Sequence, residues 1–197
     1  MQCLKNELKC IEMARIPYAF ATKSLMYAQT CTRSNISFVV RMLGKYQSNL
    51  GLDHWKNAKK VLRYLQGTKD HMLTYGRSNH LEVIGYSNSN YVGCVDIRKS
   101  TFGYLFLLVK GTISWNSTKQ PIIVASTMEA KFVACFEATI LRLWLWNFIL
   151  GLGIVNSIVK PLKIYCDNSI VVFFSKNDKF WESVKHMKVK YFVVKEV

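Results

Sequence analysis

Residues 162–168 read Leu-Lys-Ile-Tyr-Cys-Asp-Asn, a short run closed by an acid. Leu162, Ile164 and Cys166 alternate with Lys163 and Tyr165, the two-residue period of a strand with one face on a core. Asp167 therefore falls at the strand's end, on the rim of a sheet, where α/β folds gather their chemistry. Asn168 can cap a helix over 169–176, so Asp167 serves equally well as a helix starter. A second acid, Glu129, follows Ser126 at the spacing of a capping box, which accounts for it without any chemistry. Neither carboxylate decides the matter alone.

The elements that must position them follow from pattern. Strands are expected over 81–86, 101–109 and 112–117, with Lys110-Gly111 as a tight turn, so the three form an antiparallel meander. After 121–125 a long helix begins at Ser126, continues through Ala130, Val133, Ala134, Glu137, Ile140, Leu141 and Trp144, and ends at Gly151 and Gly153. The strand carrying Asp167 comes next, then the short helix and a basic amphipathic helix over 183–196. Ahead of the strands the chain reads as helical, over 21–29, over 36–46 and from Asp53 as N-cap to Gly67, with Trp55, Ala58, Leu62 and Leu65 as the apolar face. Lys56, Lys59, Lys60 and Arg63 make the rest of that last helix basic.

Composition bounds the class. The 197 residues suit one domain or one and a half, and a hydrophobic content of 50% excludes a disordered chain. Lys and Arg number 27 against 12 acids, a net charge of +15 that fits a polyanionic partner, an anionic membrane or plain solubility. The six cysteines form no C-x-x-C pair and have no His at zinc-ligand spacing, so they are expected to be reduced, mostly buried small hydrophobes. Residues 1–10 carry Lys and Glu and lack an apolar core, which argues against secretion and for a cytoplasmic or nuclear place. The apolar stretch 143–159 is split by Gly151 and Gly153 and reads as a buried helix and loop rather than a membrane span.

Further residues narrow the α/β choice. Tyr86-Ser87-Asn88-Ser89-Asn90-Tyr91-Val92-Gly93 and Arg98-Lys99-Ser100-Thr101-Phe102-Gly103-Tyr104 are followed by Ile113-Ser114-Trp115 and Lys119-Gln120-Pro121. Ser126-Thr127-Met128-Glu129-Ala130, Tyr165-Cys166-Asp167-Asn168 and Lys185-His186-Met187-Lys188-Val189-Lys190-Tyr191 complete the series. In order and spacing these resemble the ribonuclease H domain of copia-type retrotransposon Pol polyproteins. That family reads Tyr-Ser-Asp-Ala-Asp-Trp-Ala-Gly, Arg-Lys-Ser-Thr-Ser-Gly-Tyr, Ser-Thr-Thr-Glu-Ala-Glu-Tyr and Lys-His-Ile-Asp-Val-Arg-Tyr at the corresponding places. Ile16-Pro17-Tyr18-Ala19, Ser24-Leu25-Met26-Tyr27-Ala28, Cys31-Thr32-Arg33, His54-Trp55 and Leu62-Arg63-Tyr64-Leu65-Gln66-Gly67-Thr68 resemble the segment that joins reverse transcriptase to that domain. No polymerase palm motif is present.

The resemblance implies the end of a reverse transcriptase region over 1–80 and a C-terminally truncated ribonuclease H-like domain over 81–197, a mixed sheet of an antiparallel meander plus a parallel strand, flanked by helices. It implies hydrolysis of the RNA strand of RNA/DNA hybrids by two Mg²⁺ ions roughly 3.5 to 4 Å apart, held by four carboxylates. Carried onto this chain, those positions are Asn88, Glu129, Asp167 and Lys188, so the metal ligands retained are Glu129 and Asp167. Asn88 keeps a carbonyl oxygen without charge, Asn90 also replaces an acid, and a protonated Lys188 donates but cannot ligate. The four positions then sum to one negative charge, too little for two divalent ions, and hydrolysis is expected to be absent or strongly impaired. Lys131-Phe132 stands where the family has Glu-Tyr, a further lost acid. Arg98, Lys99 and Lys119 are expected on the hybrid backbone, with solvated charge the equal alternative. The partners implied are nucleic acid and the rest of a Pol polyprotein, without a membrane. The competing reading is a non-catalytic nucleic-acid-binding protein that keeps the fold and the basic surface.

Overall fold

The computed structural model describes residues 15–47, 50–76, 82–94, 98–153 and 163–167. The chain divides into two units, Met1–Leu73 and Thr74–Val197. The expected helices over 169–176 and 183–196, with Asn168, His186 and Lys188, lie outside the described residues.

The first unit is helical. Pro17 precedes α1 (Tyr18–Cys31), a 3-10 turn over Ser34–Ile36 leads into α2 (Ser37–Gly44), and α3 spans Leu52–Gly67. Tyr18, Leu25, Ile36, Val40, Leu43, Ala58 and Val61 form their common core. The buried Tyr18 hydroxyl donates to the Leu43 carbonyl at 2.8 Å, and burial raises its pKa. The N-cap of α3 is Gly51 rather than Asp53. The Gly51 N–H donates to His54 Nδ1 at 3.0 Å, so His54 closes the cap and Asp53 acts from within the first turn, where its charge meets the helix dipole. Burial lowers the His54 pKa. Of the expected core face of α3, Ala58 is buried and Trp55 and Leu65 pack against the core, while Leu62 is exposed and Val61 is buried in its stead.

The second unit holds a four-stranded mixed sheet in the order β3-β2-β1-β4. β1 (Val83–Cys94), β2 (Lys99–Leu108) and β3 (Gly111–Lys119) form the expected antiparallel meander, and β4 (Lys163–Cys166) lies parallel to β1. A parallel neighbour requires a crossover, and α4 (Thr127–Gly151) supplies it. Ala130, Phe132, Val133, Ala134 and Ala138 of α4 are fully buried, while Leu145 and Ile149 cover Val83 and Phe106. Leu152 and Gly153 stop the helix, Gly153 at φ +63 in the left-handed conformation that favours glycine. By length and composition alone α4 could cross a membrane; its outer face exposes Ile140, Leu143, Trp144 and Phe148.

β1 runs well past the expected 81–86. Residues 87–90 are polar and so lack an apolar period, yet they continue the ladder opposite Tyr104, Gly103, Phe102 and Thr101, because backbone pairing needs no apolar side chain. Cys31 is exposed, and Cys135 and Cys166 are half-buried thiols, so burial of the cysteines is only partial among the described residues. Burial, and then the neighbouring Cys166, pushes the Cys135 thiol up to about 11.

The hairpin turn between β2 and β3 centres on Val109 and Lys110, one residue before the expected position. Their φ values are 47 and 69, which a two-residue primed turn demands and a β-branched residue resists. Gly111 follows because space requires it: a Cβ there would lie 2.6 Å from the Tyr75 ring. Tyr75 falls within the second unit, its hydroxyl donating to the Thr112 carbonyl at 2.7 Å. Replacing Val109 with Asn and Lys110 with Gly is expected to stabilise the chain by about 1 kcal/mol, since the strain is removed. A urea midpoint that does not rise contradicts this.

Candidate functional site

The parallel register of β1 and β4 runs from Ile84↔Lys163 to Ser87↔Cys166. One residue beyond the last registered pair lie Asn88, still within β1, and Asp167, in the bend that follows β4. Asn88 is exposed, between the buried Ser87 and the half-buried Ser89, and pairs with Gly103 on its other side. Tyr86 and Tyr165, two residues earlier on each strand, stack at 5.5 Å.

Glu129 sits in the first turn of α4. The Ser126 hydroxyl accepts its N–H at 3.1 Å, and its carboxylate accepts the Ala125 N–H at 2.8 Å. The capping role is thus realised, one residue removed from the usual reciprocal partner, and it occupies one of the carboxylate oxygens. The first turns of α4 are held against β4: Cys166 packs on the cluster of Ala130, Phe132 and Val133. Buried Gln120 fastens the same turn from the β3 side, its Nε2 donating to the Ala130 carbonyl at 2.6 Å.

Asp167 has a partner that sequence reasoning passed over. The Lys131 ammonium donates to Asp167 Oδ2 at 2.7 Å, with the lysine side chain 16% exposed and that of Asp167 51%. The loss of an acid at position 131 was visible in the sequence, but the reach of the new cation across to β4 was not.

The basic residues are dispersed in role. Lys99 spends its ammonium on the Pro121 carbonyl at 2.9 Å, fixing the segment between β3 and α4. Tyr91 does likewise from β1, donating to the Ala125 carbonyl at 3.0 Å. Arg98 is exposed in the turn before β2 at φ 50, and Lys119 ends β3 opposite Thr101. A cavity of about 660 Å³ lies elsewhere, in the helical unit, lined by Ile36, Val39, Leu43, Val61 and Tyr64 among others.

These donors do not fit a pair of hard divalent cations. Among the described residues no three of His, Cys, Asp and Glu come together closely enough to hold a metal. Asn88 offers a neutral oxygen, Glu129 is engaged in its cap, and Asp167 is already neutralised by Lys131.

The chain is 37% identical over 185 residues to the retrovirus-related Pol polyprotein from transposon TNT 1-94 of Nicotiana tabacum, an overlap covering 94% of this chain and 14% of that protein. It is 34% identical over 164 residues to the retrovirus-related Pol polyprotein from transposon RE2 of Arabidopsis thaliana, covering 83% of this chain and 11% of that one. It is also 38% identical over 133 residues to the secreted RxLR effector protein 161 of Plasmopara viticola, covering 68% of this chain and 94% of that protein. No family model and no solved structure matches the chain. With several Pol polyproteins aligned along most of its length, the chain belongs to the family of retrovirus-related Pol polyproteins from copia-type transposons.

Proposed function

We propose that the chain is a Pol fragment joining the end of a reverse transcriptase region, 1–80, to a ribonuclease H-like domain, 81–197, that binds RNA/DNA hybrid and hydrolyses it weakly or not at all. One observation carries the reading. The sheet brings Asn88, in the middle of β1, next to the end of β4 where Asp167 follows, with the first turns of α4 fastened beside Asp167, which is the arrangement that a ribonuclease H site needs of its first, second and third acids. The meander, crossover helix and parallel strand support the same domain type.

The chemistry explains the impairment. Stabilising an attacking and a leaving oxygen requires two metals, and the metals require clustered negative charge. With Asn88 neutral and Asp167 paired to a lysine, that charge is missing at two of the positions described. Binding needs less, because phosphate contacts rest on Lys and Arg, and the net charge of +15 supplies an attractive field.

The test uses the full chain with a labelled RNA/DNA hybrid. Binding is expected to weaken steeply as salt rises, through counterion release, while the RNA strand stays intact in Mg²⁺ and in Mn²⁺. Robust cutting at ordinary enzyme concentration overturns the impaired reading. Failure to bind hybrid at low salt overturns the nucleic-acid reading itself.

A further inference from the structure

We propose that Lys131 is a built-in replacement for the divalent cation at Asp167, so that this corner of the fold is independent of metal. The inference rests on the ribonuclease H reading for what the site once held; the ion pair itself belongs to this chain. Three features support it. The Lys131 ammonium lies 2.7 Å from Asp167 Oδ2, a charge-assisted hydrogen bond at the short end of its range. The lysine stem is largely buried along α4 while only its tip reaches the acid, so the cation is held in place rather than sweeping through solvent. The pair also spans two elements, 36 residues apart in sequence, at the point where Cys166 packs on Ala130, Phe132 and Val133.

A metal bridging strand and helix performs two tasks, neutralising acids and tying the elements together. Lys131 performs both for Asp167 with one charge and no ion. It also opposes a return of metal, because a divalent ion at Asp167 would face an ammonium a few ångströms away. Reinstating acids elsewhere leaves that repulsion untouched.

The experiment titrates the full chain with Mn²⁺ alone, following free Mn²⁺ by electron paramagnetic resonance, for the wild type and for Lys131→Glu, Lys131→Met and Lys131→Arg. Lys131→Glu is expected to bind one Mn²⁺ roughly thirtyfold or more tightly than the wild type, given the size of charge repulsion at this separation. Lys131→Met keeps the side chain's bulk without its charge and is expected to gain in the same direction, which serves if the glutamate variant does not fold. Lys131→Arg keeps the charge and is expected to match the wild type. The gain in Lys131→Glu is expected to vanish when Asp167→Asn is added.

Wild-type Mn²⁺ affinity equal to that of both charge-removing variants overturns the proposal, as does a gain that survives Asp167→Asn. The two readings fail separately. Loss of hybrid binding with the Mn²⁺ gain intact removes the functional reading and leaves the lysine assignment standing; hybrid binding without any gain does the reverse.

Discussion

Asn88→Asp combined with Lys188→Asp is expected to leave the chain without hybrid cleavage, and adding Lys131→Glu to that pair is expected to bring cleavage back. Counting acids alone predicts otherwise, since the double substitution restores all four family positions. The difference lies in where Lys131 points. On the proposed ribonuclease H reading Asp167 would serve the metals, yet its Oδ2 accepts from an ammonium at 2.7 Å. A unit charge about 4 Å from a divalent ion costs on the order of 2 kcal/mol even at the dielectric of water, and more near a protein surface. That corresponds to roughly thirtyfold in metal affinity at the least. The measurement is single-turnover cleavage of a labelled hybrid in Mg²⁺, double against triple variant. Equal rates in the two would show that Lys131 yields to metal without cost, and cutting by neither would remove the assignment of these positions.

The second large effect is expected in the sheet, at Phe106. Its ring is fully buried and meets Val83, Leu145 and Ile149, so it joins β1, β2 and the later turns of α4. It also lies across Gly85, its cross-strand partner: a Cβ at Gly85 would stand 2.6 Å from the ring. Phe106→Ala should therefore destabilise by about 3 to 5 kcal/mol, through lost burial and the cavity left behind. Gly85→Ala should cost about 1 to 3 kcal/mol by forcing the ring aside. Gly85→Ala with Phe106→Leu is expected to cost less than the two single changes together, because the smaller side chain yields the space that the methyl group takes. Urea midpoints of the wild type, Gly85→Ala, Phe106→Leu and their double variant decide it, and strict additivity would mean that ring and glycine do not share the site as described.

Much of the frame was legible before the fold. The Ser126–Glu129 cap, the glycine stop of α4, the meander and the position of Asp167 just past a strand are local patterns, each decided by residues a few places apart. What escaped was set by partners distant in sequence. The polar half of β1 has no apolar period to announce it and becomes strand because β2 supplies the ladder. The turn slipped to Val109-Lys110 because Gly111 was reserved for the Tyr75 ring, some thirty-six positions away. Asp53 looked like the cap of α3, but a histidine nitrogen had taken the Gly51 N–H. At the acid site Glu129 and Asp167 were readable as residues, whereas the engagement of one in a cap and the other with Lys131 belongs to tertiary structure.

The parallel pairing of β1 with β4 has a consequence for how this chain comes together. Ile84 and Lys163 are separated in sequence by both hairpins and all of α4, so the β4 pairing closes the longest loop among the described strands and is expected to form late. Until it does, β1 presents a row of unpaired amides and carbonyls along that side, a template for any other extended chain in a crowded cell. The strand that covers this row is only 4 residues long, opens on exposed Lys163, and is pinned at its far end by Asp167 on Lys131. The Lys131–Asp167 pair is thus expected to serve a second purpose, holding the short strand over that row and guarding it against pairing with other chains.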